Sequence, residues 1–442
     1  MSQKTDQWFQ QAFAFHQDGR LAEAQKLYLR LLEQTPEDPE PYYLLATLKS
    51  QQQDHAGALP LFERALELRP GHPETLNNLG LALIHSDRLD EAVTQLQHAI
   101  AAKPDYAHAH CNLGMAFVKL ERHQAATDAY RRAVELDPGY VDAQFNLGLS
   151  LYRLNQFAEA EAPLRRTIEL CPEHASAYSD LGLVLKAMNR LSEALSCFER
   201  LCALNPSSAN PWINYGATLL DLSRFEEALA AFRRAESLDP DAALPHWNTA
   251  YPLLGLGQLQ EGWEAYEWRW KINPILYPLP YPEWEGTSLK GKTILVYAEQ
   301  GLGDELLFAS CLPDLIRRAD HCVIECEPRL ALLYSRSFPS ATVRGARRYD
   351  HRWINSVPGC DVQCALDSLP RYLRREINQF PTRQTAYLFA EPEACQTWLT
   401  WLNRLAGKIK IGICWRSGLM KGERHKHYTR LEQWGSIFAV PE

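Results

Sequence analysis

A glycine-rich loop carries residues suited to chemistry. It lies in the run EQGLGDE, after an apolar stretch and before a segment with helical spacing, and contributes Glu299, Gln300, Gly301, Gly303 and Asp304. Backbone N–H groups of such a loop face a ligand at a helix N-terminus. A carboxylate at Asp304 has the chemistry of a general base acting on an acceptor hydroxyl. The alternative, in which Asp304 only caps the helix, fits the residues equally well.

Two common nucleotide-binding motifs do not describe this loop. Gly301 and Gly303 do not extend to G-x-G-x-x-G, so the loop is a weak nicotinamide motif, and the lysine of a P-loop is absent. Cys322 and Cys326 have metal-like spacing, but in a strand they share one face, and core packing explains them. We therefore expect no metal or other cofactor.

A basic segment near the end of the sequence is a second candidate site. Between Lys408 and Arg430 there are seven Lys or Arg residues and one acid, Glu423, in a chain of formal net charge −8. Such a cluster suits the phosphates of a nucleotide-sugar, and a solvated basic loop is the alternative. The residues best placed to bind phosphate are Arg416, Ser417, Gly418, Lys421 and Arg424.

A column of carboxamides recurs through the first half of the chain. It consists of Asn78, Asn112, Asn146, Asp180, Asn214 and Asn248, each 34 residues after the last. Carboxamides offer a donor and an acceptor, so a column of them can hold an extended peptide backbone. The alternative is that these residues bond between neighbouring repeats. Asp180 departs from the pattern, because an ionised carboxylate accepts but does not donate.

The elements that position these residues follow from a 34-residue period. Eight prolines keep this register from Pro36 to Pro274, and a small residue and a large apolar residue stand twelve and eight positions before each of them. This pattern predicts antiparallel pairs of amphipathic helices that bury their apolar faces by stacking. It matches the tetratricopeptide repeat. We predict eight units over residues 5–274, forming an α-solenoid that binds a protein or peptide.

The second half of the chain predicts an α/β domain. A Pro-rich connector spans 275–291, and an apolar run at 293–298 reads as a buried parallel strand. A loop, a helical segment and a second strand, CVIECE, follow in a Rossmann-like order over residues 292–400. Residues 409–442 read as the start of a second, incomplete Rossmann lobe. The aromatic run GWEAYEWRW is expected to bury the junction with this domain through Trp263, Tyr266, Trp268 and Trp270.

Composition limits the functional classes. The balance of 46% hydrophobic and 23% charged residues is ordinary for a folded protein, and the net charge of −8 argues against a nucleic-acid partner. No apolar run reaches the length of a membrane span, and the N-terminus lacks a secretory pattern. We therefore expect a cytoplasmic protein.

The second half resembles the glycosyltransferase-like region joined to bacterial tetratricopeptide proteins, from Pro282 to about Leu431. That region is similar to the ADP-heptose transferases, which have the two-lobed GT-B fold. In that family the Asp of a Gly-Asp pair opening the first helix is the catalytic base, and Gly303-Asp304 matches it. The asparagine column resembles the ladder with which O-linked N-acetylglucosamine transferases hold protein substrates.

The resemblance implies a glycosyltransferase that moves a sugar from a nucleotide-sugar to a hydroxyl of a polypeptide held by the solenoid. Asp304 would be the base, the loop from Glu299 to Gly303 would frame the acceptor, and the segment Arg416–Arg424 would bind donor phosphate. A non-catalytic adaptor with a degenerate appendage is the alternative, because most of the donor lobe is missing before Glu442. We expect the chain to be either a fragment or a reduced family member.

Overall fold

The structure is a computed structural model that describes residues 3–272, 274, 280–346, 359–380 and 386–404. It contains two compact units, Met1–Leu204 and Asn205–Glu442. No helix in the described ranges is both long and apolar enough to cross a membrane.

Eight helical hairpins follow one another, as the period predicts. In the first unit the six hairpins comprise α1 (Gln3–Gln17), α2 (Leu21–Gln34), α3 (Pro39–Gln51), α4 (His55–Leu68), α5 (Pro73–His85), α6 (Leu89–Ala102), α7 (Ala107–Lys119), α8 (His123–Leu136), α9 (Val141–Arg153), α10 (Phe157–Leu170), α11 (Ala175–Ala187) and α12 (Leu191–Leu204). The second unit begins with α13 (Ala209–Asp221), α14 (Phe225–Leu238), α15 (Ala243–Gly255) and α16 (Leu259–Tyr266), followed by the short α17 (Arg269–Ile272). The helical solenoid is therefore confirmed.

In five of the eight hairpins a glycine of the first helix lies against a large residue of the second. A Cβ placed on Gly148 would lie 2.6 Å from Leu164 Cγ, and one on Gly182 would lie 2.6 Å from the Phe198 ring. Only glycine admits this approach, so the spacing of small and large residues fixes how the two helices pack. The turn inside each hairpin also repeats, because one residue there has a positive φ, as at Asn155 (59°).

The α/β part of the second unit contains a parallel sheet. Its strands are β1 (Thr293–Tyr297), β2 (His321–Cys326), β3 (Thr342–Gly345) and β4 (Val362–Ala365), in the order β3-β2-β1-β4. All three pairings are parallel. β1 is central and buried on both faces, as its continuous apolar run predicts. Cys322 and Cys326 lie in the hydrophobic core, as expected.

The helices around the sheet are short. They are α18 (Leu302–Phe308), α19 (Leu312–Arg318), α20 (Ala331–Ser337), α21 (Pro370–Leu373) and α22 (Pro392–Leu402). The helical stretch predicted after the glycine loop is divided by a 3-10 turn at Ala309–Cys311, because Pro313 has no N–H for a helical bond and its ring crowds the preceding turn.

The aromatic junction forms mostly as predicted. Trp263 Nε1 donates to the Arg374 carbonyl at 3.1 Å, and the Trp263 and Tyr266 rings contact Phe308. Trp270 packs against the face of the sheet that includes Leu295. Trp268 is different, because it stacks on His246 of the same hairpin with ring centroids 3.9 Å apart.

The parallel sheet supports an α/β domain, and its identity as a GT-B lobe stays a prediction. The second lobe predicted at 409–442 lies outside the described residues. So do residues 275–279 of the predicted connector at 275–291.

Candidate functional site

The glycine loop runs from the end of β1 into α18. Gly301 is the N-cap of α18, and its N–H donates to Asp304 Oδ2 at 3.1 Å. The carboxylate of Asp304 therefore caps the helix, which is one of the two roles that the sequence allowed. Its half-buried side chain remains at the edge of the loop beside Gly303, which is exposed. The catalytic role of Asp304 stays a prediction.

The first half of the loop is bonded to the last hairpin and its short extension. Arg269 Nε donates to Glu299 Oε1 at 2.6 Å, and Gln300 Nε2 donates to Tyr266 Oη at 3.1 Å. Burial raises the pKa of Glu299, and the charge of Arg269 opposes that shift. The acceptor-site loop predicted from sequence is thus held from one side by residues of the aromatic run.

Arg269 is a buried hub that the sequence did not single out. Its guanidinium donates to Glu299, to Glu267 Oε1 at 2.6 Å and to Ser368 Oγ at 2.7 Å, and lies 4.5 Å from the Trp270 ring centroid. Ser368 ends the 3-10 turn that follows β4, so one side chain connects the segments after β1 and β4. An arginine between two tryptophans and two residues after Glu267 was the available signal.

Asp367 is a second residue that the sequence did not single out. It follows β4, its side chain is fully buried, and neither carboxyl oxygen has a hydrogen-bond partner. Burial raises the pKa of Asp367 to about 8, and the charges of Glu299, Asp304 and Glu305 act in the same direction, while Arg269 opposes them. An acid two residues after the end of a buried strand of a parallel sheet was the only sequence signal.

These residues meet at the edge of the sheet where β1 and β4 end. We call this place, formed by Glu299, Asp304, Asp367 and Ser368, the β1–β4 edge. The chain continues from β1 to β2 on one side and returns to β4 on the other, so the strand order reverses here. Ligands of open parallel sheets bind at the carboxyl ends of the strands at such a reversal.

The carboxamide column bonds between hairpins in the first unit. Asn78 Nδ2 donates to Tyr43 Oη at 3.3 Å, and Asn112 Nδ2 donates to Asn77 Oδ1 at 2.8 Å. In both pairs the partner stands 35 residues earlier. These bonds match the structural alternative that the sequence left open. Each bond uses one of the two amide hydrogens of the donating asparagine.

The column changes character at Asp180. Asn146 still interacts with the Cys111 thiol, 35 residues earlier. The equivalent partner of Asp180 is Phe145, whose side chain cannot hydrogen-bond, and it packs on His174. Burial raises the pKa of Asp180 to about 6. In the second unit Asn214 and Asn248 are half-buried on α13 and α15.

The predicted donor-phosphate residues lie outside the described residues, so their placement stays a prediction. They are Arg416, Ser417, Gly418, Lys421 and Arg424. Within the described ranges no three His, Cys, Asp or Glu side chains are arranged to hold a metal ion.

The helical hairpins are the part of this chain that is similar to known proteins. Family profiles described as tetratricopeptide repeat match residues 5–48, 49–111, 111–175 and 179–243. Protein FlbA of Caulobacter vibrioides is 31% identical over 195 residues, which are 40% of this chain and 32% of that protein. The chain thus spans about a third of the length of this relative.

Two solved structures show similarity of comparable extent. YrrB, described as a TPR protein with an unusual peptide-binding site, is 26% identical, with 42% of this chain and 95% of that chain covered and a TM-score of 0.40. MamA from Desulfovibrio magneticus RS-1 is 25% identical, with 39% and 98% covered and a TM-score of 0.36.

Proposed function

We propose that this tetratricopeptide-repeat protein holds a polypeptide on its repeats and transfers a sugar from a nucleotide-sugar to a hydroxyl at the β1–β4 edge. The observation that carries the proposal is the constellation at that edge. There a half-buried carboxylate, Asp304, stands beside the exposed Gly303 where the strand order of a parallel sheet reverses.

Polypeptide binding is supported by the repeats themselves. Stacked hairpins of this kind present a row of first helices, and the carboxamide column lies on those helices in both units. Each bonded asparagine in the first unit retains an amide hydrogen and an acceptor lone pair beyond its bond to the neighbouring hairpin. An extended backbone can use both groups without a requirement for particular side chains.

Sugar transfer is supported by the chemistry that the edge offers. A carboxylate within reach of an acceptor hydroxyl can take its proton as the oxygen attacks the sugar carbon, while the bond from that carbon to the phosphate oxygen breaks and the nucleotide leaves with the electron pair. The exposed Gly303 leaves room beside Asp304, because a Cβ there would meet no heavy atom within 4 Å. The donor phosphates are proposed to bind the segment Arg416–Arg424. The nucleotide-sugar and the cytoplasmic location both stay predictions.

The test of transfer replaces Asp304 in the full chain. Asp304→Asn keeps an oxygen that accepts the Gly301 N–H, so the helix cap survives while the base is lost. The matched control is Asp320→Asn, an exposed acid just before β2 at the opposite end of the strands. Each protein is incubated with a panel of radiolabelled nucleotide-sugars and a captured polypeptide. Label should reach the polypeptide with the wild type and the control, and not with Asp304→Asn.

Retention of near wild-type transfer by Asp304→Asn would show that the base is assigned wrongly. A non-catalytic adaptor is the second candidate, and the bond between Asp304 and Gly301 favours it because the carboxylate already has a structural role. Capture of a polypeptide without label transfer from any nucleotide-sugar would support the adaptor.

A further inference from the structure

Two imidazole rings stack between the second and the third hairpin. His55 is the first residue of α4 and His85 is the last residue of α5, so the rings belong to neighbouring hairpins. Their centroids are 4.4 Å apart and their planes are inclined by 11°. We call this pair the imidazole stack. Two like charges at such a separation repel each other, so the face-to-face arrangement requires that the rings are not both protonated.

The hydrogen bonds of His55 suit a neutral ring. Its Nε2 lies 3.3 Å from Gln53 Oε1, and its buried Nδ1 has no hydrogen-bond partner among the described residues. A ring with its hydrogen on Nε2 donates to the carboxamide oxygen and leaves Nδ1 without a hydrogen. A second N–H, on Nδ1, would be buried with no acceptor.

A fixed cation lies on the other side of the stack. Lys119, the last residue of α7, donates from Nζ to the Ile84 carbonyl at 3.3 Å, directly before His85. Burial lowers the pKa of His85 below its ordinary 6.5, and the charges of His55 and Lys119 act in the same direction. Within the described part of the chain, no acid and no charge of α6 adds to this shift.

One acid adjoins the stack on the side of α4. Asp54 precedes His55, and the two groups interact electrostatically. The carboxylate of Asp54 already has structural partners, because it accepts the Gly57 N–H at 2.9 Å and a hydrogen bond from Lys49 Nζ of α3 at 2.6 Å. Asp54 therefore offsets only in part a charge on His55, and it does not contribute at His85.

We propose that the imidazole stack is a proton-sensitive joint, which holds the second hairpin against the third while its rings are neutral and opens in acid. Protonation of both rings places two cations face to face beside Lys119, one on each hairpin. Each hairpin of a solenoid contacts mainly its neighbours, so one joint can open without unfolding the helices on either side. The bond from Asn78 to Tyr43 crosses the same joint and would be lost with it. The proposal does not depend on the proposed function.

The dependence on pH has a definite sign. The closed joint holds the pKa of His85 below 6.5, whereas an opened joint returns this ring to water and to its ordinary pKa. Above pH 6.5 both forms are mainly neutral, so the joint keeps its full stability. Below that pH the opened form takes up a proton that the closed form excludes, and each pH unit favours opening by up to about tenfold.

The experiment follows amide hydrogen exchange of the full chain by mass spectrometry at pH 7.5 and pH 5.5. The test variant is His85→Phe, which keeps a planar ring for stacking but has no titratable nitrogen. The matched control is His98→Phe, at an exposed histidine of α6 in the third hairpin. Proteins are compared at the same pH, so the intrinsic exchange rates cancel. Helices α9 and α10, away from the joint, serve as the internal reference.

Acid should reduce the protection of α4 and α5 in the wild type and in His98→Phe by about three- to tenfold relative to His85→Phe. The reference helices should show no such difference. A ratio between wild type and His85→Phe that does not change with pH would overturn the proposal. So would an equal loss of protection in α9 and α10, because acid would then act on the whole solenoid.

A second measurement covers the case in which phenylalanine at position 85 disturbs the packing. Carbon-13 labelling of the histidine rings gives the titration midpoint of His55 by nuclear magnetic resonance. The midpoint should rise in His85→Phe, because the like charge across the stack is removed, and it should stay at the wild-type value in His98→Phe. The reciprocal variant, His55→Phe, should raise the midpoint of His85. Midpoints that are unchanged in both variants would show that the rings do not share a joint.

Discussion

Replacement of Asp367 by Asn should stabilise the sheet at neutral pH. The folded protein buries this carboxyl completely, and burial raises its pKa from an ordinary 3.8 to about 8. At pH 7 the carboxyl is ionised in the unfolded chain and mainly protonated in the folded one. Folding must therefore take up a proton from a solution that holds few of them, whereas the neutral amide has no such requirement.

The magnitude follows from this difference in pKa. The free energy of unfolding depends on pH only between the unfolded and folded pKa values of Asp367. Its contribution is fully present below pH 3.8, is lost as pH rises, and does not change further above about pH 8. Each pH unit in that window costs about 1.4 kcal/mol, so at pH 7 the wild type is less stable than its fully protonated form by about 4 kcal/mol. Asp367→Asn should recover up to about this amount, less any cost of burying the amide.

Amide hydrogen exchange of β1 and β4 is the suitable assay, because it reports the local stability of the sheet rather than that of the repeats. Wild type and variant are compared at the same pH, so the intrinsic exchange rates cancel. The gain in free energy of opening should be near zero at pH 4 and should grow to pH 8. Glu325→Gln, which removes another acid with a pKa of about 8, should give a similar rising curve.

A gain that is independent of pH, or a loss of stability at pH 7, would refute this reasoning. The first result would mean that Asp367 does not change its protonation on folding. The second would mean that the ionised carboxylate is stabilised by a partner in the folded protein.

Three further predictions concern packing and pairing. Arg269→Met should cost about 3–5 kcal/mol, because Glu299 is left buried and unpaired, whereas Arg233→Met removes an exposed ion pair worth less than about 1 kcal/mol; urea unfolding will compare them. Gly148→Ala should lower the free energy of unfolding by about 1–3 kcal/mol, because the added methyl clashes with Leu164, whereas Gly303→Ala should have little effect. Equal thermal midpoints for the two variants would contradict this prediction. Asn112→Ala should cost about 1–2 kcal/mol, because it leaves a buried amide oxygen without its donor; unchanged thermal unfolding by circular dichroism would show the bond to be unimportant.

The repeat was predictable because its information is local and periodic. The 34-residue spacing of prolines, small residues and large residues sets both helices and their contact, and Gly148 against Leu164 shows the contact that the spacing requires. The carboxamide column was also visible, but its bonds were not. Whether Asn112 faces a peptide or the neighbouring hairpin depends on the residue 35 positions earlier and on how closely the first helices approach.

The sheet was predicted in part, and the β1–β4 edge was not. Continuous apolar runs mark buried parallel strands, so β1 and β2 could be located from sequence. Nothing in the sequence between 342 and 365 indicated that β4 lies beside β1. The strand order is a property of how the chain crosses the sheet, and local composition does not encode that crossing.

The sequence by itself determined the repeat, the glycine loop and the position of Asp304 at the start of a helix. Only the tertiary structure brought Arg269 to Ser368, 99 residues away, and enclosed Asp367 beside Glu299. The physical reason is that the periodicity of apolar residues indicates which side chains are buried. The pKa of a buried acid and the partner of a buried arginine depend instead on which distant groups the fold encloses with them.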